Sequence, residues 1–547
     1  MLLIRFVFQL FFRSFRVLTT RLAAWRVVKR INLRVYAIGL SLIVGTVLAL
    51  TWGTKAKGDV LQASLTAFFS QTDAFFTAGT ALIVLAVPVI ALSDWGKLRL
   101  GGEHDRPEYS LISWASMLFS CGMGVGILFF GVCEPLSHYA QPASGEAFSS
   151  LSRQMALPMT FFHWGLHAWA IYAVMGLLLA YGAYKKEQPL RIKSVLYPLL
   201  GEKIHGVAGD LIDALALVCT VLAMATSLGL GAQQFCSGLT LTTGLALTNT
   251  EQVLILFLIG AASGACTMSG LKRGIEPLSR VNTRLALMFI AALLLLGPSL
   301  AIFRTLLQST GVYLAGWVQE SFNVYAEQEA HRAWFVHWRL FYWAWWLAFS
   351  PFVGLFIAKI SKGRTIGEFL LGAVLLPTAL TLTAMGILGA SSLEALTQNG
   401  ASELLTLALN EPPAALFVFL EGFKGATLLQ AASLVMIVLF LLTSMDSASF
   451  VADALSQNHT QDKRTVISQE PVNTNRAGFR LFWCALTTWV SFYVGQSCGL
   501  DALKTLTLGA ALPFLGLILL GLAGLIRDLL RLSEDQSALT VKSDTGS

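Results

Sequence analysis

The stretch Ser120-Cys121-Gly122-Met123-Gly124-Val125-Gly126 sets three glycines at alternate positions inside a long apolar run. Each interior glycine weakens a helix by about 1 kcal/mol relative to alanine. Inside a bilayer, loosened backbone is tolerated only where protein buries it or it lines a cavity. The pattern predicts a helix broken at mid-membrane, whose freed N–H and carbonyl groups suit a carboxylate and a small cation, as in secondary transporters. Glycines also let two helices approach closely. Taken alone, the stretch is equally compatible with that role.

The surrounding chain reads as a polytopic membrane protein. Its 547 residues are 55% hydrophobic and 13% charged, with a mean hydropathy of +0.67, against about 25% charge in soluble domains. Apolar runs of about 20 residues, each enough to span the hydrocarbon core, fall near 35–53, 72–93, 110–132, 155–182, 208–236, 251–270, 285–307, 338–358, 366–388, 429–452, 480–497 and 504–526. They predict an all-α integral membrane protein with twelve transmembrane helices in the lipid membrane. With the N-terminus inside, 30 of the 38 Lys and Arg lie on the cytoplasmic side, the bias that orients membrane proteins. Both termini are therefore expected to be cytoplasmic, in a multi-pass protein of the cell inner (plasma) membrane. The net charge of +7 follows this loop topology, so nucleic acid is not an expected partner. Seven cysteines, at 121, 133, 219, 236, 266, 484 and 498, lack C-x-x-C or zinc spacing and read as small buried hydrophobes.

Residues 1–34 carry eight Arg or Lys and no acid, interleaved with aromatics. They read as a basic amphipathic cytoplasmic segment on an anionic leaflet. No uninterrupted apolar core leads to a small-residue cleavage site, which disfavours a signal peptide. Composition leaves a transit peptide open. Residues 35–109 hold two peripheral transmembrane helices, and 110–307 and 338–527 hold five spans each. Between these blocks, 308–337 reads as an outer interfacial helix or linker, with Leu314, Trp317, Val318, Ser321, Phe322 and Tyr325 on one face. Residues 528–547 form a short cytoplasmic tail. The first span of each block is interrupted, by Gly122, Gly124 and Gly126 in one and by Ser350-Pro351 with Gly354 in the other. Paired interruptions point to an inverted repeat with the substrate between its halves.

Aromatic residues crowd two of these spans. At 100° per residue, Trp164, Trp169 and Tyr172 lie at about 0°, 140° and 80° on one broad helix face. Trp343, Trp345 and Trp346 stand beside the second interruption. A cage of π-faces holds a quaternary ammonium, which has no N–H to donate. Aromatic helix packing is the competing reading. His163 and His167 have the i, i+4 spacing of a metal pair, but no third ligand is near in sequence. They read as residues that hydrogen-bond across helices.

Together these residues resemble the betaine/carnitine/choline transporter family. The resemblance rests on G-M-G-V-G with F-F-G-V-x-E-P at 129–135, F-F-H-W-G-L-H-x-W-A-I-Y at 161–172, L-Y-P-L-L-G at 196–201, T-S-L-G-L-G at 226–231, F-Y-W-A-W-W at 341–346, S-P-F-V-G at 350–354, G-R-T-I at 363–366 and T-S-x-D-S at 443–447. It implies two N-terminal helices followed by a 5+5 inverted repeat of the leucine-transporter type, usually as a homotrimer. It also implies an onium substrate held in an aromatic box of Trp164, Trp169, Tyr172 and Trp346, with Trp345 beside it and Gly122, Met123, Gly124 and Gly126 lining the break. Sodium is the implied coupling ion. One site would use Ser120, Met123, Phe440, Thr443 and Ser444, and a second would lie near Thr226 and Phe352. Three departures stand out. Ala168 replaces a common Pro, Leu347-Ala348-Phe349 replace Ile-Ser-Trp, and Gly126 stands where choline-selective members tend to have Asp.

The expected activity is import of an onium zwitterion such as glycine betaine by sodium symport. Cation-independent or proton-coupled transport of choline or carnitine is the alternative. The implied exchangers replace sodium with a guanidinium, yet no Arg or Lys occurs between His205 and Gly270. The intramembrane acids Asp73, Asp213, Asp446 and Asp453 show no paired spacing, and no phosphate-binding G-x-x-x-x-G-K loop occurs. Neither an enzyme nor an ATP-driven pump is expected, and no cofactor is implied.

Overall fold

The computed structural model describes residues 31–51, 55–122, 124–269, 276–325, 329–399, 402–457 and 474–544. Most of the basic segment at 1–34 therefore lies outside the described residues. The described chain is helical, and its only extended pairings are two isolated bridges, Ile31–Gln457 and Arg99–Thr365. In lipid this follows from the need of each backbone group for an internal partner.

Nine helices among the described residues are long and apolar enough to cross a membrane, which makes this a multi-pass membrane protein. Among the described residues, the nine helices and the twelve apolar runs differ at three places. The first run, Leu33–Leu48, is shorter than a full span among the described residues. The run at 110–132 is two helices, Leu111–Gly122 and Gly126–Ala140. The runs at 480–497 and 504–526 both belong to one continuous helical element, Thr474–Asp544. That element also absorbs most of the tail expected at 528–547.

Thr474–Asp544 is not straight. Arg480 lies 3.4 Å from Asp453, one turn before Gln457, whose carbonyl accepts from Arg191. Arg527 donates to the carbonyl of Pro198, seven residues beyond Arg191. Both contacts therefore lie at one end of the bundle. A straight helix would separate residues 480 and 527 by about 70 Å, so the element doubles back between them.

The run expected at 285–307 straddles a turn. Glu276–Leu296 ends at Gly297-Pro298, and Ser299–Ser321 begins there. Pro298 has no N–H to continue the first helix, and the Ser299 hydroxyl donates to the Leu294 carbonyl at 2.6 Å. Ser299–Ser321 therefore takes up much of the proposed interfacial segment. Its Leu314 and Val318 are exposed, as is Phe322 just beyond, whereas Ser321 is buried.

The core is built on Leu166–Tyr184 and Phe341–Lys359, both buried along nearly their whole length. Glycines fix their approach. A β-carbon on Gly354 would lie 3.1 Å from the Gly176 nitrogen, so Gly354 serves close packing. Contrary to expectation, Phe341–Lys359 runs unbroken through Ser350-Pro351. Pro351 lacks the N–H that would bond the Leu347 carbonyl, and the Ser350 hydroxyl donates to that carbonyl instead at 2.7 Å. A π-helical turn, Val336–Leu340, precedes this helix.

The other helix of the core does break. Ser150–Trp164 and Leu166–Tyr184 are separated at Gly165, and the freed Leu166 N–H donates to the Tyr313 hydroxyl at 2.9 Å. A β-carbon at Gly165 would fall 2.6 Å from the Phe161 carbonyl oxygen. The bend expected of a proline at position 168 is thus made three residues earlier, by glycine.

Candidate functional site

The first break is where the glycines put it. Helix ends at Gly122 and resumes at Gly126, with Gly124 and Val125 between; Met123 and the side chain of Ser120 lie outside the described residues. The gap faces Ala426–Leu455, because a β-carbon on Gly124 would sit 3.5 Å from the Ser444 hydroxyl oxygen. Thr443 is buried one residue away, its hydroxyl donating to the Leu439 and Phe440 carbonyls at 2.9 and 3.1 Å. Phe440 is buried on the same helix. Thr226 is buried with its hydroxyl on the Leu222 carbonyl, and the Phe352 ring stands 6.4 Å from Phe349.

The four aromatics of the box form a chain of contacts. Trp169 meets Tyr172 at 5.7 Å, Tyr172 meets Trp346 at 6.1 Å, and Trp346 meets Trp164 at 5.1 Å, all edge to face. Trp345 stacks on Trp346 at 5.3 Å and an 11° interplanar angle. The angular reading assumed one continuous helix, whereas the Gly165 break puts Trp164 on a separate segment from Trp169 and Tyr172. Trp346 reunites them. Gly126 underlies the group, since a β-carbon there would fall 2.6 Å from the Trp164 ring.

Hydrogen bonds aim the two central indoles. Trp346 Nε1 donates to the His163 carbonyl at 2.8 Å, and Trp164 Nε1 donates to Glu134 Oε2 at 2.8 Å. Glu134 is fully buried. It also accepts from the Tyr342 hydroxyl at 2.5 Å, and its Oε1 lies 2.7 Å from His163 Nδ1 and 3.3 Å from His138 Nε2. A carboxylate has about four acceptor positions, and here each has a partner. Glu134 thus ties Gly126–Ala140, Ser150–Trp164 and Phe341–Lys359 together. Sequence reading missed its role because the apolar run stopped at 132. The signal was the acid in F-F-G-V-C-E-P, since an intramembrane carboxylate is functional by default.

Two further residues escaped notice. Gln234, buried, donates to the Leu128 carbonyl at 2.9 Å, bracing the start of Gly126–Ala140. Arg339, buried, bonds Glu320 at 2.8 Å and lies among the rings of Phe162, Tyr325, Trp334, Phe335 and Trp343. His163 and His167 do not share a ligand, for His163 turns to Glu134 and His167 to Ser321 at 2.8 Å. The four aspartates have separate partners: Asp73 pairs with Arg332, Asp213 with Arg191, Asp453 with Arg480, and Asp446 lies 4.0 Å from Cys266 Sγ. No two of them converge as an acid and base pair.

A polytopic helical bundle with a broken helix facing hydroxyls, beside buried and oriented aromatics, has the features of a secondary transporter. The pattern of the betaine/carnitine/choline family transporters matches residues 34–534. Similar proteins include a glycine betaine transporter of Acinetobacter baylyi, 38% identical over 83% of this chain and 67% of that one. The glycine betaine transporter OpuD of Bacillus subtilis is 37% identical over 88% of this chain and 92% of its own. The osmo-independent choline transporter BetT1 of Acinetobacter baylyi is 34% identical over 80% and 82%. The chain belongs to the betaine/carnitine/choline transporter family, and it is a transporter rather than an enzyme.

Proposed function

We propose that the protein imports glycine betaine or a similar onium zwitterion by sodium symport. The observation that carries this reading is the pair of indoles, Trp164 and Trp346, held by their N–H groups beside the Gly122–Gly126 break. With their edges fixed, the ring faces offer the negative quadrupole that attracts a trimethylammonium head. The positive dipole end of Gly126–Ala140 suits the carboxylate of the same substrate. Similarity to glycine betaine transporters supports the substrate class.

Sodium is supported by the approach of Ser444 to the break and by Thr443 beside it, hydroxyls suited to a hard monovalent cation. Ser120, Met123, Phe440, Thr226 and Phe352 complete the two proposed ion sites. Preference for a zwitterion over choline rests on Gly126. It supplies no carboxylate to balance an unaccompanied positive charge, whose desolvation costs several kcal/mol. Similarity to a choline transporter keeps choline as the competing substrate.

The test is uptake of labelled betaine, choline, carnitine and dimethylsulfoniopropionate into proteoliposomes, with and without an inward sodium gradient. Betaine should accumulate only with the gradient, and unlabelled choline should compete weakly. Equal uptake in potassium buffer would overturn sodium coupling, and choline accumulating as well as betaine would overturn the zwitterion preference. Gly126→Asp is a poor probe, because its side chain must first displace the Trp164 ring.

A further inference from the structure

The cluster of Glu134, His138 and His163 has a chemistry that substrate binding does not use. All three side chains are buried, and their ligand atoms lie within 4.8 Å of one another. Glu134 receives Tyr342 and Trp164 on Oε2 and faces both imidazoles through Oε1. Each imidazole has spent one nitrogen on this contact, and His138 Nδ1 and His163 Nε2 have no other partner. With both imidazoles neutral, the group buries a net negative charge, which costs several kcal/mol. One added proton cancels it. A divalent metal would leave a net positive charge instead, and would have to share a carboxylate whose Oε2 is already taken.

Other titratable and charged groups face the cluster from the packed segments. Glu329–Phe335 brings Arg332, paired with Asp73, and half-buried His331, 6.1 Å from the Tyr325 ring. Val336–Leu340 brings exposed His337, 5.4 Å from the Trp338 ring. Ser299–Ser321 brings Glu320, bound to Arg339. Leu166–Tyr184 brings His167, bonded to Ser321. Ile366–Asn399 brings Glu394, bonded to Arg153 of Ser150–Trp164. Phe341–Lys359 contributes the Tyr342 hydroxyl, and the nearby Glu403, Glu411 and Glu421 on the short helices are exposed. His138 is the member of the cluster with a way out. It lines a cavity of about 80 Å³ with Met155, Met159, Glu320, Asn323 and Tyr325, and Ser144 on the rim is exposed. Such a volume admits water. The His138 ring also lies 5.3 Å from Trp334 and 4.7 Å from Trp338, within the range at which indoles attract a cation.

We infer that Glu134, His138 and His163 form a proton-binding site, loaded at His138 from this cavity, whose occupancy fixes the aim of Trp164 and Trp346. The loaded site is neutral and stays dry. Glu134 Oε2 then holds the Trp164 N–H, and the anchored His163 segment offers its carbonyl to Trp346. The unloaded site is anionic and draws water through the cavity, which loosens both indoles. Such a proton acts whatever ion drives transport.

Two measurements test this. Betaine uptake at a fixed sodium gradient should fall as the pH of the outer medium is raised, by no more than about tenfold per unit for one proton. Glu134→Gln is neutral without a proton, and its amide donates to the imidazoles while its oxygen still accepts. Whatever the level of its uptake, that uptake should lose the pH dependence. His138→Gln keeps a donor but cannot be charged, so its profile should be flat and low. The second measurement, tryptophan fluorescence of purified protein without substrate or sodium, does not depend on the transported compound. In a His337→Gln background, which removes the exposed imidazole 5.4 Å from Trp338, acidification should still quench, because an imidazolium at His138 lies against Trp334 and Trp338, and adding His138→Gln should remove that step. A flat wild-type uptake profile, or wild-type pH dependence persisting in both variants, overturns the proposal. So does a fluorescence step that survives His138→Gln in the His337→Gln background.

Discussion

Two aromatic cages lie next to each other in this bundle and differ in what they surround. Arg339 stands 4.5 Å from the Phe162 ring and within 6.0 Å of four more, with Glu320 closing the charge. Trp164, Trp169 and Trp346 have no side-chain cation of the protein over them among the described residues; their N–H bonds and edge-to-face contacts hold them. Rings alone therefore do not mark a ligand site. One cage stabilises the protein around its own guanidinium, and the other has π-faces to offer a cation from outside.

Removing the guanidinium should have the largest effect. Arg339→Leu takes the cation from five rings and from Glu320, whose side chain is one-fifth exposed, so the loss should approach but not exceed the roughly 3 kcal/mol of breaking a fully buried pair. The variant should unfold at markedly lower temperature in detergent, and Arg339→Lys should fall between it and the wild type. An unchanged melting curve would mean that the first cage is no more structural than the second. Trp346→Ala should do the reverse, keeping the fold while losing up to about 2 kcal/mol of onium binding, roughly thirtyfold in affinity. Isothermal titration with betaine reads this directly, and unchanged affinity would remove Trp346 from the box.

Smaller effects sharpen the contrast. Thr443→Ala with Ser444→Ala should raise the sodium concentration for half-maximal uptake about tenfold, the equivalent of about 1.4 kcal/mol. If only the maximal rate changes, the hydroxyls do not hold the ion. Ser350→Ala should cost about 1 kcal/mol in thermal stability by stranding the Leu347 carbonyl, with betaine affinity intact. A shift in affinity as large as that of Trp346→Ala would show that the Ser350 turn belongs to the site.

The helical membrane fold was legible because hydropathy depends only on local composition, and the Gly122–Gly126 break because three interior glycines leave a helix little to hold it. The Ser350-Pro351 site misled for a reason that composition hides. A proline breaks a helix by removing a donor, and here the preceding hydroxyl replaces the donor on the same carbonyl. Gly165 was hidden in the opposite way, as a single glycine whose consequence depends on Tyr313, far away in sequence. Trp164, Trp169 and Tyr172 were singled out by helix angles computed across what the structure shows to be the Gly165 break, and the family motif grouped Trp346 with them. Glu134 and Arg339 lie at the edges of their apolar runs, where a window of about 20 residues cannot tell a buried charge from an interfacial one. Only packing reveals that both are buried.

The substituted bond at Leu347 gives the tryptophan-bearing helix a latch. An ordinary ladder bond is released by unwinding a turn, which bilayer surroundings resist because the freed groups find no water. The bond from Ser350 is released by rotation about a single χ1 angle, one staggered well to the next. The rod carrying Trp345 and Trp346 can therefore flex directly behind them at the expense of about one hydrogen bond. Its swing is metered by a rotamer, and no part of the helix has to melt.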